Sequence, residues 1–240
     1  MANLVVVEKH EKKKFINAIF YPALFVVILS IVHFVQYAFD FNFYQFGIYP
    51  KETKGLVGII TSIFIHGNFN HLFNNAIPLL ILGSALFYFY KPVAVKIVVW
   101  IVLMGGFWTW VMARESYHIG ASGLIYGLFS FLLVSGFIRL NKQLIALSFF
   151  VVIVYGSMVW GIFPIKLEIS YEAHFWGFVS GIILAIFYRK EGLQKEVHVW
   201  VEDEEESEGE KQYWKTGYDE ESYKINYRED GSPKLVTRNQ

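Results

Sequence analysis

Three stretches of this chain carry side chains able to do chemistry, and they lie far apart in sequence. In "YHIGASGLIYGLF", Ser122 stands between Ala121 and Gly123. In "EAHFWGFVSG", His174 interrupts an apolar run. In "HGNFNHLFNNAIP", His71 and Asn75 are four residues apart. A serine hydroxyl alone is a weak nucleophile. A neutral imidazole can take its proton and later return it to a leaving amine. The ordinary histidine pKa of about 6.5 leaves such a base mostly neutral near pH 7. His71 and Asn75 share one helix face and both can donate hydrogen bonds. Acyl transfer needs such donors at the oxyanion of its tetrahedral intermediate, and the Ser122 amide at a helix N-terminus is a third. Each residue also has a plainer use. Small residues let membrane helices approach, and polar side chains hold helices together.

These side chains need elements to bring them together. The chain has 240 residues and is 55% hydrophobic, above the roughly 45–50% of ordinary soluble domains. The excess lies between Phe15 and Tyr188, and most of the acidic residues follow Glu191. The net charge of zero therefore averages two unlike parts. Six segments approach the 20 or so apolar residues that cross a bilayer: Phe15–Phe39, His71–Tyr90, Val93–Ala113, Ala121–Arg139, Leu144–Phe163 and Glu172–Tyr188. They lack the period-2 alternation of a barrel, so the fold class expected is all-α, a polytopic bundle of six helices with a polar C-terminal tail. The division expected is a basic N-terminus at 1–14, a six-span domain at 15–190 and an acidic, flexible tail at 191–240. No cleavable signal is expected: the basic "EKHEKKK" precedes a run too long for a signal core. The absence of cysteine excludes disulfides and thiolate metal sites.

Basic residues orient the spans. Lys12–Lys14, Lys91, Lys96, Arg139, Lys142, Arg189 and Lys190 fall on one side; Lys51, Lys54, Arg114 and Lys166 fall on the other. Both termini are thus expected in the cytoplasm. The second, fourth and sixth spans then begin on the outer side, where His71, Asn75, Ser122 and His174 share one depth. Gly123 with Gly127, and Gly177 with Gly181, form G-x-x-x-G pairs that permit close helix contact. A hydrogen bond of about 2.6–3.2 Å between short side chains needs such closeness. Tyr126, one turn past Ser122, can pack under the imidazole. No carboxylate is placed for a triad, so a Ser–His dyad is expected. His66, His71 and His174 also raise zinc, but no H-E-x-x-H is present, and no metal is expected. His10, His33, His118 and His198 are read as ordinary polar or interfacial residues.

"HGNFNHLFNN" reads H-x-x-x-x-H-x-x-x-N, "GASG" is followed by Tyr126, and "AHFWGFVSG" reads A-H-x-x-G-x-x-x-G. In this order, on the second, fourth and sixth of six spans, they resemble the rhomboid intramembrane serine proteases. The resemblance covers roughly His66 to Tyr188. It implies Ser122 as nucleophile and His174 as general base. His71, Asn75 and the Ser122 amide become oxyanion donors, and Tyr126 packs on the imidazole. Gly120 shapes the turn before the serine, and His66 supports the loop into the second span. The close-packing glycines are Gly123, Gly177 and Gly181. The implied substrates are single-span or other membrane proteins, cut near the outer surface in a water-filled cavity, with no cofactor. The bilayer is the expected surrounding, a bacterial inner membrane the expected location, and no nucleic-acid partner is expected. The chain departs from many members in lacking a Trp-Arg pair in "KGLVGIITSIFIH", which puts the packing of that outer loop in question. Two other functions remain open: a catalytically silent binder of membrane proteins, and a transporter or metal site built on the outward histidines.

Overall fold

The computed structural model describes residues 2–165, 168–194, 226–227 and 233–234, with backbone alone at 2–10 and at the last four. Two compact units form, Met1–Val197 and His198–Gln240. In the second, Asn226–Tyr227 pairs antiparallel with Pro233–Lys234. The acidic run expected to be flexible lies outside the described residues, as do Lys166 and His198.

The first unit is helical. Helix α1 runs Ala2–Ala38, α2 Gly58–Thr61, α3 Phe69–Phe89, α4 Ala94–Met112, α5 Ser122–Arg139, α6 Lys142–Tyr155 and α7 Tyr171–Phe187. Among the described residues, five segments are long and apolar enough to cross a membrane: Glu11–Ala38, Phe69–Phe89, Ala94–Met112, Ser122–Arg139 and Lys142–Ile162. Helix α7, with 17 residues, is the shortest of the six expected spans, about 26 Å at 1.5 Å per residue. Two boundaries differ from expectation. Helix α1 begins at Ala2 rather than Phe15, because Lys and Glu are good helix formers and continue the helix beyond its apolar part. The fifth span changes at Tyr155 into a 3-10 segment, Gly156–Ile162.

Helix α5 is the centre of the bundle: 67% of its apolar window is buried, against 17–33% in the other four long spans. A lipid-facing helix needs no protein cover, so this difference marks which helix the others surround. Leu128, Phe131 and Leu132 are fully enclosed there, next to Leu82, Leu86 and Ile97 of α3 and α4. Helix α1 packs on α3, where Gly83 faces the ring of Pro22. Leu140 adopts a left-handed conformation after α5 (φ 53°). Asn141 then caps α6 by accepting from the amides of Gln143 and Leu144, which turns the chain sharply.

Helices α5 and α7 meet through glycine. A Cβ on Gly177 would strike the Gly123 carbonyl, and one on Gly181 would strike the Gly127 carbonyl and Ser130 Oγ. The two G-x-x-x-G seams therefore face each other, with backbone against backbone. Ser130 adds a buried 2.7 Å hydrogen bond to the Phe178 carbonyl. At the opposite end from Ser122, Arg139 donates to the Tyr188 carbonyl at 2.5 Å and lies 4.6 Å from the Tyr90 ring centroid. That contact links the ends of α5, α7 and α3.

Candidate active site

Ser122 is the first residue of α5. Its place is set by Gly120, whose φ of 104° is one that only glycine adopts at little cost. A Cβ on Gly120 would also meet His71 Nε2 at 2.6 Å and lie 3.7 Å from Asn75 Nδ2. The turn before the serine is thus pressed against the two polar side chains of α3. The Gly120 amide donates to the Ser62 carbonyl at 2.9 Å, which anchors the turn from the other side.

His174 lies one turn inside α7 and is 8% exposed. Its Nε2 is 2.8 Å from Ser122 Oγ, and its Nδ1 is 2.9 Å from the Gly161 carbonyl oxygen. A carbonyl can only accept, so Nδ1 carries the proton and donates it there. Nε2 is then left with its lone pair towards the serine hydroxyl, which donates to it. This is the tautomer that can receive a proton from Ser122. The Tyr126 ring stacks on the imidazole at 4.2 Å between centroids and 8° between planes, which fixes the ring's tilt.

The residue that holds Nδ1, Gly161, escaped the sequence reading. It acts through a backbone carbonyl, and every residue type offers one of those. The one available signal was a glycine in the apolar run before His174. Gly161 cannot carry a side chain here: a Cβ would overlap the Tyr126 hydroxyl and approach His174 Nδ1 to 3.4 Å. Its carbonyl comes from the 3-10 segment Gly156–Ile162.

Asn75 is 3% exposed and donates one amide hydrogen to the His71 carbonyl at 2.9 Å. An asparagine amide has two hydrogens, so a second remains to be given. Asn68 caps α3 by accepting from the His71 amide at 2.8 Å. His66, in the loop before α3, is 1% exposed and meets the His71 ring edge-to-face at 5.1 Å. Burial removes water from its charged form and lowers its pKa to about 3, with the neighbouring His71 adding to the effect. Ser122, His174, His71, Asn75 and Tyr126 all line one cavity of about 790 Å³. His33, from α1, is buried with its ring against Phe69, outside this cavity's lining. Among the described residues no three His, Asp or Glu side chains gather as a metal cluster would require.

The loop that lacks a Trp-Arg pair packs by other means. Gly55 and Gly58 lie so close to the backbone of Tyr49 and of Gly47 that neither could bear a Cβ. Trp110 donates to the Glu52 carbonyl at 2.9 Å, and Thr61 donates to the Phe46 carbonyl at 2.5 Å. Ile48 and His118 exchange backbone hydrogen bonds at 3.0 and 2.8 Å. His118, read from sequence as an ordinary polar residue, is 2% exposed and bonded to Ser170. Glu172 pairs with Arg114 at 3.5 Å.

Comparison with known proteins adds a second line of observation. The profile of the Rhomboid domain matches residues 53–191. Uncharacterized proteins of Mycobacterium tuberculosis and Mycobacterium bovis are 34% identical over 172 residues, 67% of this chain and 71% of theirs. An uncharacterized protein of Mycobacterium leprae is 33% identical over 177 residues, 69% of this chain and 67% of its own.

Proposed function

The chain belongs to the rhomboid family and is an integral, multi-pass membrane protein; from that premise we propose that it is a serine endopeptidase that cleaves membrane-anchored proteins within the bilayer. The observation that carries this reading is the 2.8 Å contact between Ser122 Oγ and His174 Nε2, with Nδ1–H committed to the Gly161 carbonyl. Ser122 Oγ attacks the scissile carbonyl carbon while its proton passes to His174 Nε2. The carbonyl oxygen becomes an oxyanion, which His71, the second Asn75 amide hydrogen and the Ser122 amide receive. The intermediate collapses as the C–N bond breaks, and His174 returns the proton to the leaving amine. An ester on Ser122 remains. Water, deprotonated by His174, attacks that ester and releases the new carboxyl end. No carboxylate is needed behind the histidine, because the Gly161 carbonyl holds the tautomer and the Tyr126 ring holds the plane.

Both termini lie in the cytoplasm and the cavity opens outward, in a bacterial cytoplasmic membrane; the excess of Lys and Arg on one side of the spans supports this orientation. Substrates are single-span or other membrane proteins that unwind enough to present a peptide bond to Ser122.

The test is reaction of purified full-length protein with a fluorophosphonate, together with cleavage of a tagged transmembrane substrate. Wild type should label and cut. Ser122→Ala and His174→Ala should do neither, since loss of a triad-type nucleophile or base removes on the order of 10⁶ of kcat. A silent binder would retain the substrate uncut and remain unlabelled, and that result would refute the protease reading.

A further inference from the structure

The bond between Ser122 and His174 has a counterpart four residues earlier on both segments. His118 precedes Ser122 by four residues, and Ser170 precedes His174 by four. His118 Nδ1 and Ser170 Oγ are hydrogen-bonded, so the same two segments are joined twice, each time by a serine and a histidine 52 residues apart. The chemical roles are reversed. At the outer position the loop before α5 supplies the imidazole and the α7 segment supplies the hydroxyl. His118 Nε2 lies 3.1 Å from the Arg114 carbonyl, which can only accept. Nδ1 is therefore the acceptor, and Ser170 donates to it.

A second tie runs beside this one. Arg114 Nη1 pairs with Glu172 Oε1 at 3.5 Å, and Nη2 donates to the Ile169 carbonyl at 2.8 Å. The Arg114 guanidinium also lies 5.0 Å from the Tyr171 ring centroid. Four consecutive residues, Ile169 to Glu172, are thus held by Arg114 and His118. Ser170 is the N-cap position of α7, yet its side chain makes no cap bond; Glu172 is the acidic residue of the first turn. These are the residue types that normally serve the helix's own amides and dipole. Here both are turned to the neighbouring loop. The Glu172 side chain is 10% exposed and the Arg114 side chain 31%, so the pair is partly withdrawn from water.

We propose that Ser170, His118, Arg114 and Glu172 form a clasp of positioning residues that sets the register between the nucleophile turn and the N-terminal turn of α7, and so the reach from His174 to Ser122. The inference rests on the protease reading and deepens it. Glycine seams let α5 and α7 approach but do not by themselves fix their relative slide. The clasp fixes it at the outer end, one turn from the reacting atoms. A displacement of about 1 Å there is enough to cost on the order of a hundredfold in rate.

The test uses full-length protein in lipid, labelled with a fluorophosphonate whose site is mapped by peptide analysis, with the thermal midpoint measured in parallel. Ser170→Ala should label Ser122 about fivefold more slowly, the scale of one net hydrogen bond. Ser170→Thr keeps a hydroxyl for His118 and should restore the rate to within about twofold. Glu172→Gln should slow labelling about tenfold, since the Arg114 guanidinium then loses its charged partner. Each slowed variant should keep its midpoint within a few degrees of wild type. A serine that only capped α7 would lower the midpoint and leave the labelling rate unchanged. Ser170→Ala that labels at the wild-type rate overturns the clasp, even if Glu172→Gln fails to fold; label found on Ser170 itself does so too. Failure of wild type to label at all is a different result and overturns the protease reading instead.

Discussion

At the residue scale, the proposed chemistry turns on which nitrogen of His174 is protonated. The Gly161 carbonyl decides that, and it can approach only because Gly161 has no side chain. Gly161→Ala would force a methyl group into the Tyr126 hydroxyl, and the imidazole would have to move with the tyrosine it stacks on. Fluorophosphonate labelling of Gly161→Ala should fall by about ten- to a hundredfold, measured well below the melting temperature. A rate equal to wild type would show that the carbonyl does not orient the ring. The sequence already offered Ser122, His174, His71 and Asn75, because hydroxyl, imidazole and amide side chains at the ends of apolar spans are conspicuous. It did not offer Gly161. Nor did it distinguish His118 from a surface histidine, although His118 is as deeply enclosed as the core. Residue type alone does not report which partner a loop histidine finds.

At the element scale, the seam between α5 and α7 has no room for a methyl group. Gly177→Ala places a Cβ against the Gly123 carbonyl, and the two helices must separate. Overpacking of this kind costs about 1–3 kcal/mol. The expected outcome is a lower thermal midpoint together with slower cleavage, because the helices that separate are the two that carry Ser122 and His174. Gly156 is the control. Its backbone is ordinary right-handed helix (φ −58°, ψ −27°), and an added Cβ would meet only Val152 at 3.7 Å. Gly156→Ala should be neutral or stabilise by about 0.4–1 kcal/mol through the unfolded chain. If both variants melt and cleave alike, the seam is not what sets the helix spacing. The G-x-x-x-G pairs could be read from the sequence as a capacity for contact. That they face each other, and that the fifth span gives way to a 3-10 segment at Gly156, could not. Both depend on what the neighbouring helices present.

At the scale of the whole molecule, stability should fall with acidity through the loops at the Ser122 end of the bundle. His66 is neutral in the fold, with its pKa lowered to about 3 by burial. Burial also lowers that of His118, against an opposing pull from the Glu172 carboxylate and the Arg114 carbonyl. An unfolded histidine protonates near pH 6.5. Above that value both states of His66 are neutral and pH has no effect. Below it the unfolded state binds a proton that the fold refuses, so stability is lost at about 1.4 kcal/mol per pH unit down to the folded pKa. Thermal midpoints recorded from pH 7.5 to 5 should therefore decline, and His66→Gln should show a shallower decline than wild type. Parallel slopes would mean that His66 is protonated in the folded protein.

The all-helical membrane class, the gathering of the polar side chains at one end of the bundle and the family could all be read from the sequence; the six expected spans became five long apolar helices among the described residues and the shorter α7. Those follow from local properties: hydropathy over one bilayer thickness, alternation of direction from span to span, and motifs on single helix faces. The tertiary structure alone decided that α5 is enclosed by the other helices, that Gly161 presents its carbonyl to His174, and that Arg114 and His118 hold the start of α7. Each of these depends on backbone groups or on side chains from segments about 50 residues apart, and such meetings are fixed by packing in three dimensions, where neither residue type nor spacing carries the information.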